Sequence, residues 1–92
     1  MPESLLFGKD GHPGFIENLN DGHFDVEQGE KIKNAAINLV DQIKKSDISN
    51  TAVADLCETM YFICAFAEYN ETPEFIKFEE DMTRIVNELY EN

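Results

Sequence analysis

Three segments of the chain show the apolar spacing of α-helices. In residues 26–45 and 73–90, apolar residues recur at three- and four-residue steps. The third segment, 50–69, contains a continuous apolar run at residues 60–67, which would make every face of a helix apolar there. This pattern predicts two amphipathic helices packed around a central, fully buried helix. We therefore expect an all-α fold: a single domain over residues 1–92, built as a compact antiparallel bundle of three helices, or four. Lys33 lies off the apolar stripe and is expected at the surface.

Capping residues set the expected helix boundaries. Asp25 can cap the helix that begins at residue 26, with Gln28 placed to reach back to the cap. Thr72 followed by Pro73 is a typical start for the last helix. Asn70 can take the left-handed conformation that ends the helix before it.

The first 25 residues have a different composition. They hold four of the five glycines and two of the three prolines, which favours turns, yet apolar residues are scattered among them. We expect an ordered, loop-rich arm over residues 1–25 that lies on the helical core of residues 26–92. It should include one short helix after Pro13 and be anchored by Phe7, Phe15 and Phe24.

Cys57 and Cys64 lie seven residues apart on the predicted central helix. Their Cα atoms should be about 10 Å apart, which is too far for a disulfide. We expect both to be reduced, buried thiols. Together with a start that lacks the features of a signal peptide, this predicts a cytoplasmic protein.

The tripeptide Asp-Gly-His occurs twice, at residues 10–12 and 21–23. Histidine and carboxylate can hold zinc, but Asp-Gly is also a common turn sequence, and neither spacing matches a known ligand motif. We expect no metal and no cofactor. Because no nucleophile, phosphate loop or paired acid and base occurs in a supporting context, we also expect that the protein is not an enzyme.

The chain carries a formal net charge of −12. Residues 1–46 hold eight acids and five bases, whereas residues 47–92 hold eleven acids and two bases, so the net charges are −3 and −9. Such a field repels nucleic acid and anionic membranes and attracts basic proteins. The alternative, that the acidity only keeps the protein soluble, stays open.

Local helix pairs should involve both bases of the second half: Lys77 with Asp81, and Arg84 with Glu80 and Glu88. Six of the other acids of this half, with an exposed tyrosine as anchor, form the predicted partner-binding surface. Its residues are Asp55, Glu58, Glu68, Tyr69, Glu71, Glu74 and Glu79.

In size, helical content, reduced cysteines and acidity, the chain resembles the small acidic immunity proteins with which bacteria neutralise nuclease toxins, of the colicin or contact-dependent growth inhibition type. The resemblance implies a monomer or weak homodimer that inhibits a basic toxin by stoichiometric binding. Two alternatives remain. One is an acidic DNA mimic that blocks a nucleic-acid-binding protein. The other is a helical adaptor or chaperone for a basic peptide, which needs an exposed apolar groove that the predicted core does not leave.

Overall fold

The computed structural model describes residues 6–8, 11, 13–45 and 50–90, and all regular structure in these ranges is helical. Two 3₁₀ turns, Ala67–Tyr69 and Glu88–Tyr90, follow the α-helices that end at Ala65 and Asn87. The all-α prediction is confirmed. Four α-helices lie wholly within these ranges: α1 (Phe15–Asn20), α2 (Val26–Lys45), α3 (Asn50–Ala65) and α4 (Pro73–Asn87).

The helix starts follow the sequence signals. The Asp25 carboxylate accepts a hydrogen bond from the backbone N–H of Gln28 at 3.0 Å, and the Thr72 hydroxyl accepts one from the backbone N–H of Phe75 at 3.2 Å. The Gln28 side chain does not return to its cap as predicted. It accepts a hydrogen bond from Asn18 Nδ2 at 2.8 Å and donates one to the Pro13 carbonyl, so it ties α1 to α2.

Asn70 does not adopt the predicted left-handed conformation, since its φ is −133°. Its side chain is buried instead, and Nδ2 donates hydrogen bonds to the carbonyls of Leu19 at 2.9 Å and Phe66 at 2.8 Å. Asn70 therefore joins the segment after α3 to the end of α1. The position of Asn70 is thus held by one long-range and one local hydrogen bond of its side chain.

The core lies between α2 and α4, which make the largest helix–helix interface, with α1 and α3 packed against them. Phe15, on α1, is fully buried and contacts Phe24 and Phe78, so two of the three predicted arm anchors reach the core. Phe7 is the exception: it is 38% exposed, and its ring lies perpendicular to that of Phe62 with 6.0 Å between the centroids. The fully buried side chains include Leu19, Ile32, Leu56, Ile63, Phe75 and Met82.

The prediction of a central, wrapped helix is wrong for α3. Leu56 and Ile63 are fully buried, but Tyr61 is 69% exposed and Phe62 and Phe66 are only partly buried. One face of α3 is open because a 92-residue chain has too few other helices to surround it. The apolar run gives no sign of this open face in the sequence, since the exposed positions hold weakly apolar residues instead of charged ones.

The prediction of buried cysteines fails for the same reason. Cys57, Tyr61 and Cys64 follow one another at four- and three-residue steps and therefore share one face of α3, which is the open face. Both thiols are free and exposed, which agrees with the prediction that they form no disulfide with each other.

Asp21-Gly22 forms a turn, and Gly11 also lies in a turn, as the alternative to a metal site predicts; Asp10 lies outside the described residues. Gly11 and Gly22 have φ values of +83° and +76°, in the left-handed region that glycine tolerates. His12 lies outside the described residues. Within them, no group of three or more His, Cys, Asp or Glu side chains is arranged to hold a metal ion, and no helix is long and apolar enough to cross a membrane.

Candidate partner-binding groove

The C-terminal end of α3 and one flank of α4 enclose an open groove of about 810 Å³, which we call the α3–α4 groove. Its apolar lining comes from both helices and the turn between them. Three glutamates stand among these apolar residues, two from the segment between the helices and one from α4. The lining consists of Ala65, Ala67, Phe75 and Ile76, the thiol residue Cys64, and the acids Glu68, Glu71 and Glu79.

Local sequence explains why the groove is open. Ala65 and Ala67 carry only a methyl group each, so they fill little of the space beside α4. The buried Asn70 side chain holds the chain between the 3₁₀ turn and α4, which fixes how α4 starts beside α3. On the α4 side, Ile76 remains 48% exposed. The result is an apolar surface that no part of the described chain covers.

A second depression of about 400 Å³ adjoins the groove and shares Cys64 and Glu79 with it. Its other lining residues, all from α4, are Glu80, Thr83, Arg84 and Asn87. From Phe75 to Asn87 the two depressions follow α4 for about 18 Å at the rise of an α-helix. Because they share two lining residues, we treat them as one channel, with glutamates along its first part and Arg84 near its far end.

In the part of the chain that the structure describes, no cation lines the α3–α4 groove itself. Among the described residues, Glu68, Glu71 and Glu79 make no ion pair, while three bases converge elsewhere, on the carboxylate of Asp81. Like charges in one small surface repel each other, and a cationic ligand would relieve this repulsion. The groove is therefore both apolar and strongly anionic.

The cation cluster at Asp81 lies between α2 and α4. Asp81 has a side chain only 11% exposed, and it contacts Lys33 Nζ at 3.2 Å, Lys77 Nζ at 2.7 Å and the Arg84 guanidinium. The hydrogen bond from Lys77, helped by that from Lys33, lowers the pKa of Asp81, although its burial opposes this. The hydrogen bonds of Lys33 with Glu30 and Asp81 raise the pKa of Lys33.

The local pairs predicted on α4 are partly confirmed. Lys77 pairs with Asp81 as predicted, but Arg84 contacts Asp81 rather than Glu80 or Glu88. Lys33, which was predicted to be a simple surface residue, belongs to the same cluster. Unlike Glu80 and Glu88, Asp81 is covered by α2 and α4. Charge pairs are less screened where water is excluded, which explains why all three cations contact Asp81.

The structure divides the predicted partner-binding residues among different surfaces. Glu68, Glu71 and Glu79 meet in the groove, whereas Glu74 lines a separate depression between α2 and α4 with Phe24 and Lys77. Tyr69 is 55% exposed at the end of the 3₁₀ turn beside the groove. Two further predicted residues lie on preceding turns of α3: Asp55, which is partly buried, and Glu58, which is exposed.

Sequence reasoning missed the apolar part of the groove. Ile76 is adjacent to Phe75 but off the buried stripe of α4, so an isoleucine on the polar side of an amphipathic helix was the available signal. Cys64 and Ala65 give no comparable signal, because they lie inside the continuous apolar run of residues 60–67.

A row of aromatic rings runs along α3 towards the groove. Phe62 and Phe66 stack with ring centroids 6.2 Å apart, Phe66 lies 6.2 Å from Tyr69, and Tyr61 meets Phe62 edge-on at 5.7 Å. Tyr61 and Tyr69, the outer members, are both more than half exposed. Tyrosine in such a setting is typical of protein interfaces, because an ordered ring supplies contact area at low entropic cost.

A comparison with known protein families, with curated protein sequences and with solved structures finds no match to this chain.

Proposed function

We propose that this chain is a stoichiometric inhibitor of a basic protein and that it acts as an immunity protein that neutralises a nuclease toxin. The observation that carries the proposal is the meeting of Glu68, Glu71 and Glu79 around one exposed apolar groove, with no base paired to them in the described part of the chain. Charge alone serves solubility equally well, but charge around an open apolar surface is what a binding site requires.

The chemistry of a nuclease fits this surface. A protein that holds a polyanion must present cations, and an inhibitor that presents carboxylates to those cations associates quickly and blocks the substrate site. The apolar lining and the exposed tyrosine beside it would then slow dissociation. The carboxylates would thus give fast association, and the apolar lining with the tyrosine would give a long-lived complex.

The groove also favours one alternative, a helical adaptor or chaperone for a basic peptide. That function needs an exposed apolar groove, and the α3–α4 groove supplies one. The two functions differ in what happens to the partner. An inhibitor abolishes its partner's activity at one-to-one stoichiometry, whereas a chaperone leaves a released partner active.

The first experiment identifies the partner. The tagged chain serves as bait in the cells that make it, and mass spectrometry identifies the proteins that remain bound at moderate salt. The recovered partner is then purified and assayed for hydrolysis of RNA and DNA with increasing amounts of this chain. An immunity protein gives a linear loss of activity that ends at one equivalent, while a partner with no nuclease activity would contradict this function.

The second experiment tests the surface. Reversing Glu68, Glu71 and Glu79 together to Lys should slow association with the partner and weaken its dependence on salt. The matched control reverses Asp21, Glu27 and Glu88, three exposed acids outside the groove, and so gives the same change in net charge. If both triple variants associate at the same rate, the groove has no special role and the acidity acts only as a general field.

A further inference from the structure

We infer that the α3–α4 groove accepts a basic amphipathic helix from its partner, with the apolar face of that helix laid against Ala65, Ala67 and Ile76. This inference rests on the proposed function and specifies the part of the partner that is recognised. It follows from the walls of the groove, its length, and the distribution of charge along it.

The walls of the groove favour a helical ligand. Cys64 and Ala65 lie in α3, and Phe75, Ile76 and Glu79 lie in α4, so much of the wall backbone is already hydrogen-bonded within these helices. An extended segment would find few backbone partners there, and burying its own amides without partners would be costly. A helix satisfies its own backbone and offers only side chains, as in other helix-in-groove complexes.

The dimensions set the length of the ligand. The channel follows α4 for about 18 Å, which corresponds to about 12 residues or three to four turns of a bound helix. Apolar side chains of that helix must recur at three- and four-residue steps to stay on the face that meets the groove.

The charges set its composition. Glu68 and Glu71 stand at one end of the channel, and Glu79 and Glu80 stand along its α4 side. Arg84 lines the other end, so the cations of the ligand belong beside the glutamates and not at that end. Lys or Arg on both borders of the apolar face of the ligand would meet these carboxylates. A second copy of this chain is a poor occupant, because it also carries a net charge of −12 and would bring carboxylates against carboxylates.

The test uses a designed peptide of about 14 residues, which is long enough to fill the channel. Leucines occupy positions on one helical face, lysines border them, and a single tryptophan reports binding by fluorescence because this chain contains none. A permuted peptide of identical composition distributes its leucines around the helix. We expect one-to-one binding of the amphipathic peptide, at least about tenfold tighter than that of the permuted one.

Two measurements locate the bound peptide. Alkylation followed by mass spectrometry should show Cys64 protected by the peptide, while Cys57, which is also exposed but does not line the groove, keeps most of its reactivity. Ile76→Ala should weaken binding about tenfold. Ile37→Ala is the matched control, since Ile37 is equally exposed at 48% but lines a different depression beside Lys33 and Arg84. Thermal melts of both variants show that they remain folded.

The outcomes separate this inference from the proposed function. Equal binding of the two peptides, equal reactivity of the two cysteines, or equal effects of the two isoleucine substitutions would each overturn the helix-in-groove inference. The proposed function would survive that result if the groove acids still control association with the natural partner. If those acids have no effect but Cys64 is protected and Ile76→Ala weakens peptide binding, the groove binds helices and the proposed inhibition is wrong.

Discussion

Asp81 on α4 accepts a hydrogen bond from Lys33 on α2, with 3.2 Å between Oδ2 and Nζ. This contact joins the two helices with the largest interface, and Lys77 and Arg84 reach the same carboxylate from α4. Three of the seven bases of the chain are thereby gathered on one side of α4. Among the described residues, the α3–α4 groove itself is lined by carboxylates and no base, although Arg84 also lines the depression beside it. The clustering of cations around Asp81 therefore helps to make the groove anionic.

The first prediction concerns Asp81. Asp81→Asn should lower the free energy of unfolding at pH 7, because the amide cannot replace a carboxylate beside three cations. The lowered pKa of Asp81 means that the charged form stabilises the fold above the unfolded-state pKa, near pH 4, and that this contribution is lost as pH falls through the lower pKa of the folded state. The difference in stability between wild type and variant should therefore narrow below about pH 4.

Urea unfolding from pH 7 down to pH 2 measures this difference. Glu80→Gln is the control, since Glu80 is the neighbouring acid, is exposed and makes no ion pair in the described structure. A constant difference across the pH range would show that the ionised form of Asp81 does not stabilise the fold. The pKa of Lys33 is raised, so its charged form stabilises the fold at neutral pH, and this contribution is lost only in strongly alkaline solution.

The second prediction concerns Gly29, in the first half of α2. A Cβ atom there would lie 2.8 Å from Phe24 Cζ and 3.4 Å from Phe78 Cδ1, and Phe24 is held by the rings of Phe15, Phe75 and Phe78. Glycine-to-alanine changes inside helices usually stabilise by about 1 kcal/mol. Here Gly29→Ala should destabilise by about 1–3 kcal/mol, because the rings must shift.

A double-mutant cycle with Phe24→Leu checks the cause. The smaller side chain should recover part of the loss in the Gly29→Ala background, so the two substitutions should couple. Strict additivity, or a gain in stability from Gly29→Ala alone, would show that Phe24 moves away freely.

The third prediction reverses an expectation drawn from sequence. Because both thiols are exposed, Cys57 and Cys64 should react with a thiol reagent in the native protein at rates close to those in the unfolded chain. Stopped-flow measurements on the variants Cys57→Ser and Cys64→Ser follow each thiol separately. Reaction only after addition of denaturant would restore the buried-helix interpretation of α3.

The fourth prediction compares neighbours on α3. Ile63 is fully buried, so Ile63→Ala should cost about 2–5 kcal/mol. Phe62 is only partly buried, and Phe62→Ala should cost clearly less although it removes a larger side chain. Chemical denaturation of both variants measures the order, and a larger loss for Phe62 would mean that the outer face of α3 is covered.

The fifth prediction concerns Tyr69. If the surface beside the groove contacts the partner, Tyr69→Ala should raise the dissociation rate of the complex while changing the association rate little. Tyr69→Phe is the control, since it keeps the ring and its contact with Phe66. Surface plasmon resonance with the purified partner separates the two rates, and unchanged dissociation in the alanine variant would place Tyr69 outside the interface.

The sequence alone determined the helices, because their signals are local. The caps at Asp25 and Thr72 and the apolar stripe of α4 depend on residues three or four positions apart, and the observed helix starts agree with them. The excess of acids in the second half was equally visible, as a count of charges requires no geometry.

Tertiary structure alone decided which surfaces are open and which acids share one. The apolar run of α3 was compatible with complete burial, and only the limited number of neighbouring helices leaves Tyr61 and Cys64 exposed. Glu71 and Glu74 are close in sequence, yet Glu71 lines the groove and Glu74 lies beside Lys77 in another depression. Asn70 and Lys33 likewise bind residues far away in sequence: Asn70 donates a hydrogen bond to Leu19, and Lys33 pairs with Asp81. Such long-range hydrogen bonds and ion pairs outweigh the weak local preferences of single residues.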